Sequence, residues 1–379
     1  MVAHRGALGN KFLGKRILRD GRMAEEQKGV DRRTVLGGAT ALAGTVMASG
    51  AKAQARAYRR IACEEGFLSP GVLAQNAKAS TRELSLITAE GPTAALARSL
   101  VDLGEGRIAG MDADGIDMQL LLLSSPGIQA FDLASAVSLA AESNDYVSAA
   151  CARYPARFAA LAALAPQDPT AAARELQRAI KLPGIKGAII NSHTNGEYLD
   201  GQKYWPIFEA IEALDAPLYI HPREPAGAMN AYMSGPVVGG PAWAYAVEVG
   251  THVLRLIQAG VFDRFPRLRL VIGHMGEALP FWLPRIDNRY KWLLRGPAPI
   301  KRLPGDYIRE NIWVTTSGMN YWPQIEMTRK VLGPDRVLYA TDYPFENQAE
   351  AVGFAEAMPL DTAQKKQFFE DNAMKVFKL

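Results

Sequence analysis

Residues 268–277 read LRLVIGHMGE, an apolar run over Leu268–Ile272 that ends just before His274 and Glu277. A near-continuous apolar run of this length is typical of a strand that is buried on both faces of a parallel sheet. Similar runs recur along the chain at Arg60–Cys63, Ile116–Leu123, Phe158–Leu164, Ile185–Asn191, Ala216–Ile220, Ile312–Thr315 and Val337–Ala340. Because helix-like segments separate these runs, the pattern predicts an α/β fold, a single (β/α)8 TIM barrel with insertions.

The segments between the predicted strands are amphipathic, as expected for helices that pack on the outside of a barrel. The clearest are Ala134–Tyr154, Ala171–Lys181, Tyr204–Leu214 and Val247–Ala259. The alternative is a doubly wound sheet, which would carry a glycine-rich phosphate loop directly after an early strand. The one candidate loop, GEGRIAG at residues 104–110, follows a helix-like run instead, so the barrel is favoured.

The charge of the chain is unevenly distributed. Residues 1–56 hold eleven Lys or Arg and four Asp or Glu, so the net charge of +4 becomes −3 for residues 57–379. The mildly acidic remainder gives no basis for nucleic-acid binding, and none is expected. The two cysteines, Cys63 and Cys151, are too few for a disulfide framework or a multi-cysteine zinc cluster.

The first 55 residues are typical of a targeting segment. The pair Arg32-Arg33 precedes a mildly apolar run at residues 35–48, and A-x-A sites follow within residues 51–55. This order resembles a twin-arginine export signal, and the apolar run is too short to span a bilayer. We therefore expect a leader at 1–55, a barrel domain at 56–379 and no membrane span in the mature protein. The expected location is the periplasm, or the cytoplasm if the leader does not function.

Ionisable side chains stand where four predicted strands stop, namely Glu64, His221, His274 and Asp342. In a barrel all strands end at the same face, so these side chains are expected to converge. Taken singly, a strand-end histidine is more often structural, and an aspartate there is often a helix N-cap. Four such residues in one topological position favour a site instead, and two carboxylates with two imidazoles suit a divalent metal ion.

Three further residues fit this picture less well. His193 follows the fourth predicted strand, where it either lines the substrate pocket or caps a turn. His252 lies in a helical run and is expected to pack in the interior. Cys63 has no histidine near it in sequence, so it is not predicted to be a nucleophile.

At these residues the chain resembles the amidohydrolase superfamily, and within it the metal-dependent decarboxylases of γ-resorcylate, 2,3-dihydroxybenzoate and 5-carboxyvanillate. The matching stretches are IACEEGF (61–67), MDADGIDMQLLLLSSPGIQ (111–129), NGEYLDGQKYWPIFEAIEALDAPLYIHP (195–222), VIGHMGEALPFWLPRID (271–287), YATDYPFE (339–346) and DNAMKVFKL (371–379). The resemblance runs from about Arg60 to the C-terminus. It implies a TIM barrel, a small aromatic acid as substrate and a homodimer or homotetramer.

The resemblance also implies roles for particular residues. They are the metal ligands Glu64, His221 and Asp342, the catalytic residues Asp342, His274 and Glu277, and a substrate or interface contact at Arg285. Many amidohydrolases carry a second ligand two residues after the first, where this chain has Gly66. Without that imidazole the site is richer in oxygen, which favours Mn or Mg as the single divalent ion, with Zn still compatible.

The predicted reaction is the non-oxidative decarboxylation of a hydroxylated aromatic acid, a lyase reaction that releases CO2. Asp342 is the expected proton donor to the ring carbon, and His274, oriented by Glu277, would hold or deprotonate the phenol. The first alternative is hydrolysis of a lactone or amide on the same metal site. The second is a barrel that binds small acids without catalysis. The GHMGE pattern together with Gly66 favours the decarboxylase.

Overall fold

The computed structural model describes residues 56–78, 83 and 86–379, so the leader predicted over residues 1–55 lies outside the described residues. Within them, parallel strands follow one another in chain order around one sheet. They are β1 Ile61–Phe67, β2 Met118–Leu123, β3 Phe158–Ala163, β4 Ile185–Ile190, β5 Pro217–Ile220, β6 Arg269–Ile272, β7 Ile312–Thr315 and β8 Val337–Leu338. The Cys63 amide donates to the Tyr339 carbonyl at 2.9 Å and so joins β1 to the chain after β8. The predicted barrel is confirmed.

Helices alternate with the strands. Their bounds are Pro70–Asn76, Ala94–Val101, Glu105–Asp114, Leu133–Arg153, Pro169–Ala179, Trp205–Ala213, Gly227–Tyr232, Ala244–Gln258, Val261–Arg264, His274–Glu277, Leu279–Leu293, Pro304–Asn311, Trp322–Leu332, Gln348–Ala357, Thr362–Lys366 and Asn372–Phe377. The candidate phosphate loop of residues 104–110 lies at the start of the helix Glu105–Asp114. It does not form a glycine-rich loop after a strand, as a doubly wound sheet would require. No helix of the described ranges is long and apolar enough to cross a membrane.

The local sequence explains how these elements form and pack. Every residue of β2 is buried, as expected for a strand between the barrel interior and the outer helices. The helix Pro169–Ala179 begins at Asp168, whose carboxylate accepts hydrogen bonds from the Thr170 and Ala171 amides. Its inner face buries Leu176 completely. Burial of one such leucine side chain stabilises the fold by about 1.5–3 kcal/mol.

Strand β1 continues past its predicted end at Cys63 as far as Phe67. Its pairing with β2 shifts between Ala62 and Glu65, which marks a bulge with one extra residue on β1. Glu64 and Glu65 therefore lie inside β1, not beyond its end, and both are buried. The prediction that β1 stops before Glu64 was wrong because an apolar pattern does not reveal a bulge.

Strand β8 is shorter than predicted and ends at Leu338. Beyond it, the Ala340 amide donates to the Thr316 hydroxyl at 3.0 Å, and that hydroxyl lies 3.1 Å from the Ala340 carbonyl oxygen. The Thr316 side chain thus replaces a backbone partner of β7 at this point. Because regular pairing of β8 with β7 stops at Leu338, the chain can turn at Asp342, at the C-terminal face of the barrel.

Candidate active site

The four predicted strand-end residues converge at the C-terminal face. Oε1 of Glu64 lies 3.7 Å from Nε2 of His221 and 3.8 Å from Nε2 of His274. Nε2 of His274 is in turn 3.9 Å from Oδ2 of Asp342. Glu64, His274 and Asp342 each offer one ligand atom within 4.8 Å of the others. The chain therefore gathers one carboxylate from within β1 with two imidazoles and a second carboxylate from beyond the ends of three other strands.

Glu64 has one satisfied and one unsatisfied oxygen. Oε2 accepts hydrogen bonds from the hydroxyls of Thr315 and Ser317, which follow from β7. Oε1 is buried and has no hydrogen-bond partner among the described residues. Burial acts to raise the pKa of Glu64, but the neighbouring imidazoles, His274 first and then His221, and the two hydroxyl bonds outweigh it and leave the pKa below its usual value.

An unbonded buried carboxylate oxygen is costly, by about 1–3 kcal/mol or more. Here that oxygen faces two imidazole nitrogens at less than 4 Å, with a second carboxylate beyond. Oxygen and imidazole nitrogen are the donors that manganese, magnesium and zinc accept. The residues present therefore fit a divalent cation, which would satisfy the open oxygen.

His221 is held in a form that suits a ligand. Its Nδ1 lies 2.9 Å from the Pro222 carbonyl oxygen, which can only accept, so Nδ1 carries the proton. Nε2 is then the nitrogen with a free lone pair, and it faces Glu64. Burial is the largest cause that lowers the pKa of His221, to about 4, so its ring is neutral.

His274 is oriented by Glu277 in an unusual turn. Nδ1 of His274 lies 2.7 Å from Oε1 of the buried Glu277. Burial acts to lower the pKa of His274, but Glu277, Glu64 and Asp342 together hold it well above the usual range. His274 and Glu277 both have positive φ, at 45° and 52°. A Cβ on the preceding Gly273 would stand 2.7 Å from the Glu64 carboxylate, so glycine is needed for this approach.

Asp342 completes the cluster. Its surroundings raise its pKa, whereas those of Glu64 lower the pKa of that carboxyl group. It has a φ of 62° and is only partly exposed. Burial, followed by the charges of Glu64, Glu65 and Glu346, raises the pKa of Asp342 well above its ordinary value despite the nearby His274. A carboxyl group that keeps its proton can deliver it to a substrate. A carboxyl group with a raised pKa beside a histidine with a raised pKa is thus an arrangement suited to proton transfer.

The cluster opens into a cavity of about 490 Å³. His274, Glu277, Asp342 and Glu346 contribute ionisable groups, and most of the remaining wall is apolar. The large side chains of that wall are Trp243, Tyr245, Met275, Phe281, Trp282, Met319 and Met327. A few ionisable groups in a largely aromatic and thioether wall are typical of a site for a small aromatic ligand.

Two predicted substrate contacts lie elsewhere in this chain. His193 donates from Nε2 to the Glu224 carbonyl at 2.9 Å and accepts at Nδ1 from the Gly196 amide at 3.2 Å. It lines a separate cavity of about 430 Å³. Arg285 is exposed on the helix Leu279–Leu293 and is not among the residues that line the cavity at His274. Their substrate roles remain predictions.

Two other residues behave as the sequence indicated. His252 is fully buried, with Nδ1 2.9 Å from the Ser192 hydroxyl and Nε2 accepting from the Leu199 amide at 3.0 Å. Cys63 is buried, and burial first of all raises the pKa of its thiol well above the usual value, which disfavours a nucleophile.

Thr315 and Ser317 were missed from the sequence. They stand at the end of the seventh strand, in the same topological position as the histidines. The prediction considered only ionisable residues at strand ends, although hydroxyls there orient a metal-binding carboxylate equally well. Extending the same positional argument to hydroxyl side chains would have found both.

Comparisons with known proteins agree with this geometry. The Amidohydrolase family model matches residues 87–379. A gamma-resorcylate decarboxylase of Rhizobium radiobacter is 40% identical over 294 residues, which cover 75% of this chain and 90% of that one. The 5-carboxyvanillate decarboxylase of Novosphingobium aromaticivorans, solved with manganese and 4-hydroxy-3-methoxy-5-nitrobenzoic acid, matches with a TM-score of 0.80 and 40% identity, covering 85% and 97% of the two chains.

A third relative carries the same metal. The dihydroxybenzoic acid decarboxylase of Polaromonas sp. JS666, solved with manganese and 2-nitroresorcinol, matches with a TM-score of 0.77 and 36% identity over 85% and 97% of the chains. The manganese in both solved relatives agrees with the predicted Mn or Mg site. With a family model that covers more than three quarters of its length and relatives of this identity, the chain belongs to the amidohydrolase family.

Proposed function

We propose that this protein is a metal-dependent carboxy-lyase that releases CO2 from a hydroxylated aromatic carboxylic acid. The observation that carries the proposal is the cluster of Glu64, His221, His274 and Asp342 at one side of an apolar, aromatic cavity. The relatives support it, because they are decarboxylases named for hydroxylated aromatic acids.

Glu64, His221 and Asp342 are the ligands we assign to a divalent ion, with manganese favoured. The open oxygen of Glu64 and the unprotonated Nε2 of His221 both face the same space. His274 lies as close and falls within 4.8 Å of Glu64 and Asp342, but despite burial the carboxylates of Glu277, Glu64 and Asp342 hold its pKa well above the usual range. This favours the charged ring, whereas a ligand must be a neutral imidazole. When bound, the ion would supply positive charge that attracts the substrate carboxylate and an ortho hydroxyl.

Asp342, detached from the metal or only loosely bound to it as it acts, donates the proton that the reaction requires. Its proton goes to the ring carbon that bears the carboxylate, and a new C–H bond forms there. The C–C bond then breaks, its electron pair returns to the ring and CO2 leaves. Asp342 is left ionised and regains a proton from water, so no oxidant or organic cofactor is consumed.

His274 and Glu277 stabilise charge on the substrate. With its Nδ1 bonded to Glu277, His274 presents Nε2 towards Glu64 and Asp342. A charged imidazole at this point stabilises a phenolate oxygen and so increases electron density in the ring before protonation. Glu277 sets both the direction and the charge of that imidazole.

Manganese-dependent CO2 release tests the proposal. The purified protein is stripped of metal, supplied with manganese and assayed on a panel of hydroxybenzoates, with Asp342→Asn as the variant. We expect CO2 only with metal, and a loss of about 10³-fold or more in the variant, because a positioned general acid contributes about 10²–10⁴-fold. Turnover of lactones without CO2 would move the protein to the hydrolases, and an active Asp342→Asn would end the proton-donor role.

We also propose that residues 1–55 export the protein through a twin-arginine pathway. The support is the order of paired arginines, apolar run and A-x-A sites. Fractionation of cells that express the full chain and an Arg32→Lys, Arg33→Lys variant tests this. Periplasmic protein is expected only with the arginine pair, and equal cytoplasmic retention of both forms would contradict it.

The mature protein is further proposed to be a homodimer or homotetramer, with Arg285 at the interface. The support is the helix Leu279–Leu293, on which Phe281 and Trp292 are 72% and 61% exposed beside Arg285. Exposed aromatic and arginine side chains are enriched in protein interfaces. Light scattering of the wild type and of Arg285→Glu tests this, and a monomeric wild type would contradict it.

A further inference from the structure

Two neighbouring carboxylates of β1 contact different parts of the C-terminal face. Glu64 faces the imidazoles of the metal cluster, whereas Glu65 faces the chain after β8. Glu65 is fully buried and accepts three hydrogen bonds: from the Thr341 amide at 2.8 Å, the Thr341 hydroxyl at 2.6 Å and the Tyr343 amide at 3.1 Å. Asp342 lies between these two residues, so one carboxylate holds the backbone on both sides of it.

The backbone conformation of Asp342 is one that hydrogen bonds on both sides of it help to stabilise. Its φ of 62° is in the left-handed region, which is uncommon for a residue with a side chain, although aspartate adopts it more often than most. A conformation of this kind persists where the surrounding structure determines it. Besides the Glu65 bonds, the Gly66 amide donates to the Tyr343 carbonyl at 2.7 Å, so β1 holds both the amide and the carbonyl of Tyr343.

Arg107 contacts both segments that this hydrogen bond joins, β1 at Gly66 and the chain after β8 at Tyr343. It is buried, and its Nη1 donates to the Gly66 carbonyl at 2.8 Å while Nε donates to Gln119 at 2.7 Å. Its guanidinium carbon lies 4.8 Å from the centre of the Tyr343 ring. The Arg107 charge near Glu65 compensates a carboxylate that would be costly to bury alone.

We propose that Glu65 is the positioning residue that fixes Asp342 for proton transfer, through hydrogen bonds to the peptide groups on either side of it. This inference rests on the proposed function, since it assumes that Asp342 is the proton donor. Glu65 itself does not line the cavity at His274. A displacement of a reacting group by about 1 Å can cost about 10²-fold in rate, so loss of the hold has a measurable consequence.

Glu65→Gln tests the inference with the smallest change in shape. The amide keeps one acceptor oxygen, but its NH2 group cannot accept from Thr341 or Tyr343. At saturating manganese we expect kcat to fall by about 10²-fold while KM for the aromatic acid changes much less. Glu356→Gln is the matched control: Glu356 also accepts from several donors, but it lies at the opposite end of the barrel. Its kcat should equal that of the wild type.

Hydrogen exchange of the metal-free, full-length protein provides a readout that does not depend on activity. The Thr341 and Tyr343 amides should exchange slowly in the wild type and in Glu356→Gln. In Glu65→Gln at least one of them should exchange about tenfold faster, because they bond to different oxygens of Glu65 and glutamine keeps only one acceptor oxygen, each bond being worth about 1 kcal/mol or more. Unchanged exchange, or faster exchange with an unchanged kcat, would overturn the inference. A wild type that releases no CO2 would overturn the proposed function, and the exchange rates would still decide whether Glu65 holds this segment.

Thr341→Val and Thr341→Ser keep the inference testable if Glu65→Gln does not fold. Valine removes one of the three donors to Glu65 and leaves its carboxylate intact. We expect a loss of kcat of about fivefold for one hydrogen bond, and recovery with serine, which restores the hydroxyl. Equal kcat in the valine and serine variants would mean that this bond does not position Asp342.

Discussion

Glu356 at the N-terminal end of the barrel and Glu64 at the C-terminal end differ in how fully their carboxylates are paired. At the N-terminal end, Glu356 accepts hydrogen bonds from Arg60 at 2.7 and 2.8 Å and from Tyr58 at 2.8 Å. At the C-terminal end, Glu64 keeps one oxygen without a hydrogen-bond partner in the described part of the chain. Glu356 is thus fully paired, whereas Glu64 keeps an open oxygen.

Carboxylates such as Glu356 contribute to stability, whereas the open oxygen of Glu64 is suited to binding and catalysis. Paired charges add to the free energy of unfolding, whereas an open buried oxygen and left-handed residues such as His274 and Asp342 reduce it. Costs of this kind are retained where they serve binding or catalysis. In TIM barrels the loops after the strands carry catalytic residues, and the opposite end contributes stability. Substitutions at the two ends should therefore change different measurements.

Glu64→Gln should have the largest effect. It removes the charge that we assign to the metal, so we expect manganese binding to weaken strongly and CO2 release to fall by about 10³-fold or more, about 4 kcal/mol in activation free energy. Elemental analysis after dialysis against manganese, followed by the CO2 assay, measures both. A variant with wild-type metal content and activity would show that the open oxygen is not a ligand.

Glu277→Gln should have a smaller effect of about 10–10²-fold, since it changes a residue that orients His274. It should also move the pH profile. Glu277 helps to hold the pKa of His274 well above its usual range, and the charged ring is the form that stabilises a phenolate. Activity is therefore lost as His274 deprotonates at high pH, and without Glu277 this loss should occur at lower pH. A pH–rate profile measures the shift, and an unmoved alkaline limb would contradict it.

These residues also show what the sequence could and could not predict. The positions of His221, His274 and Asp342 followed from the place where each apolar run stops, because all parallel strands of a barrel end at one face. The bulge between Ala62 and Glu65 could not be predicted, because it depends on how β1 pairs with β2. The separate directions of Glu64 and Glu65 were therefore beyond the sequence.

The length of β8 shows the same limit. The apolar run to Ala340 predicted a longer strand, but the Thr316 hydroxyl replaces the ladder there. Side chains that compete for backbone groups over a large sequence separation leave no local pattern. The contacts of Thr315 and Ser317 with Glu64 are equally non-local. The sequence thus predicts which strands carry the site but not the hydrogen bonds that orient it.

Glu248→Gln should have a smaller effect than Glu277→Gln, on the pH dependence of stability. Glu248 is fully buried behind the C-terminal face, and burial raises its pKa to about 8, with Ser192, Arg223 and Tyr198 opposing only in part. Because the folded state holds this proton more tightly than the unfolded state, stability should fall as pH rises from about 4.5 to about 8. Its slope is at most about 1.4 kcal/mol per pH unit. Urea denaturation over this range should show a flatter dependence for Glu248→Gln, and an identical slope would contradict the assignment.

Glu356→Gln should have the smallest effect and should change stability alone. Burial opposes ionisation of Glu356, but hydrogen bonds from Arg60, Tyr58 and Lys365 hold its pKa below the usual value. The stability that it contributes is therefore present at neutral pH and is lost as pH falls through the folded-state pKa. We expect the variant to be about 1 kcal/mol less stable than the wild type at pH 7 and equally stable in strong acid. Urea denaturation at both pH values measures this, and a lower kcat for CO2 release would show that the two ends of the barrel are coupled.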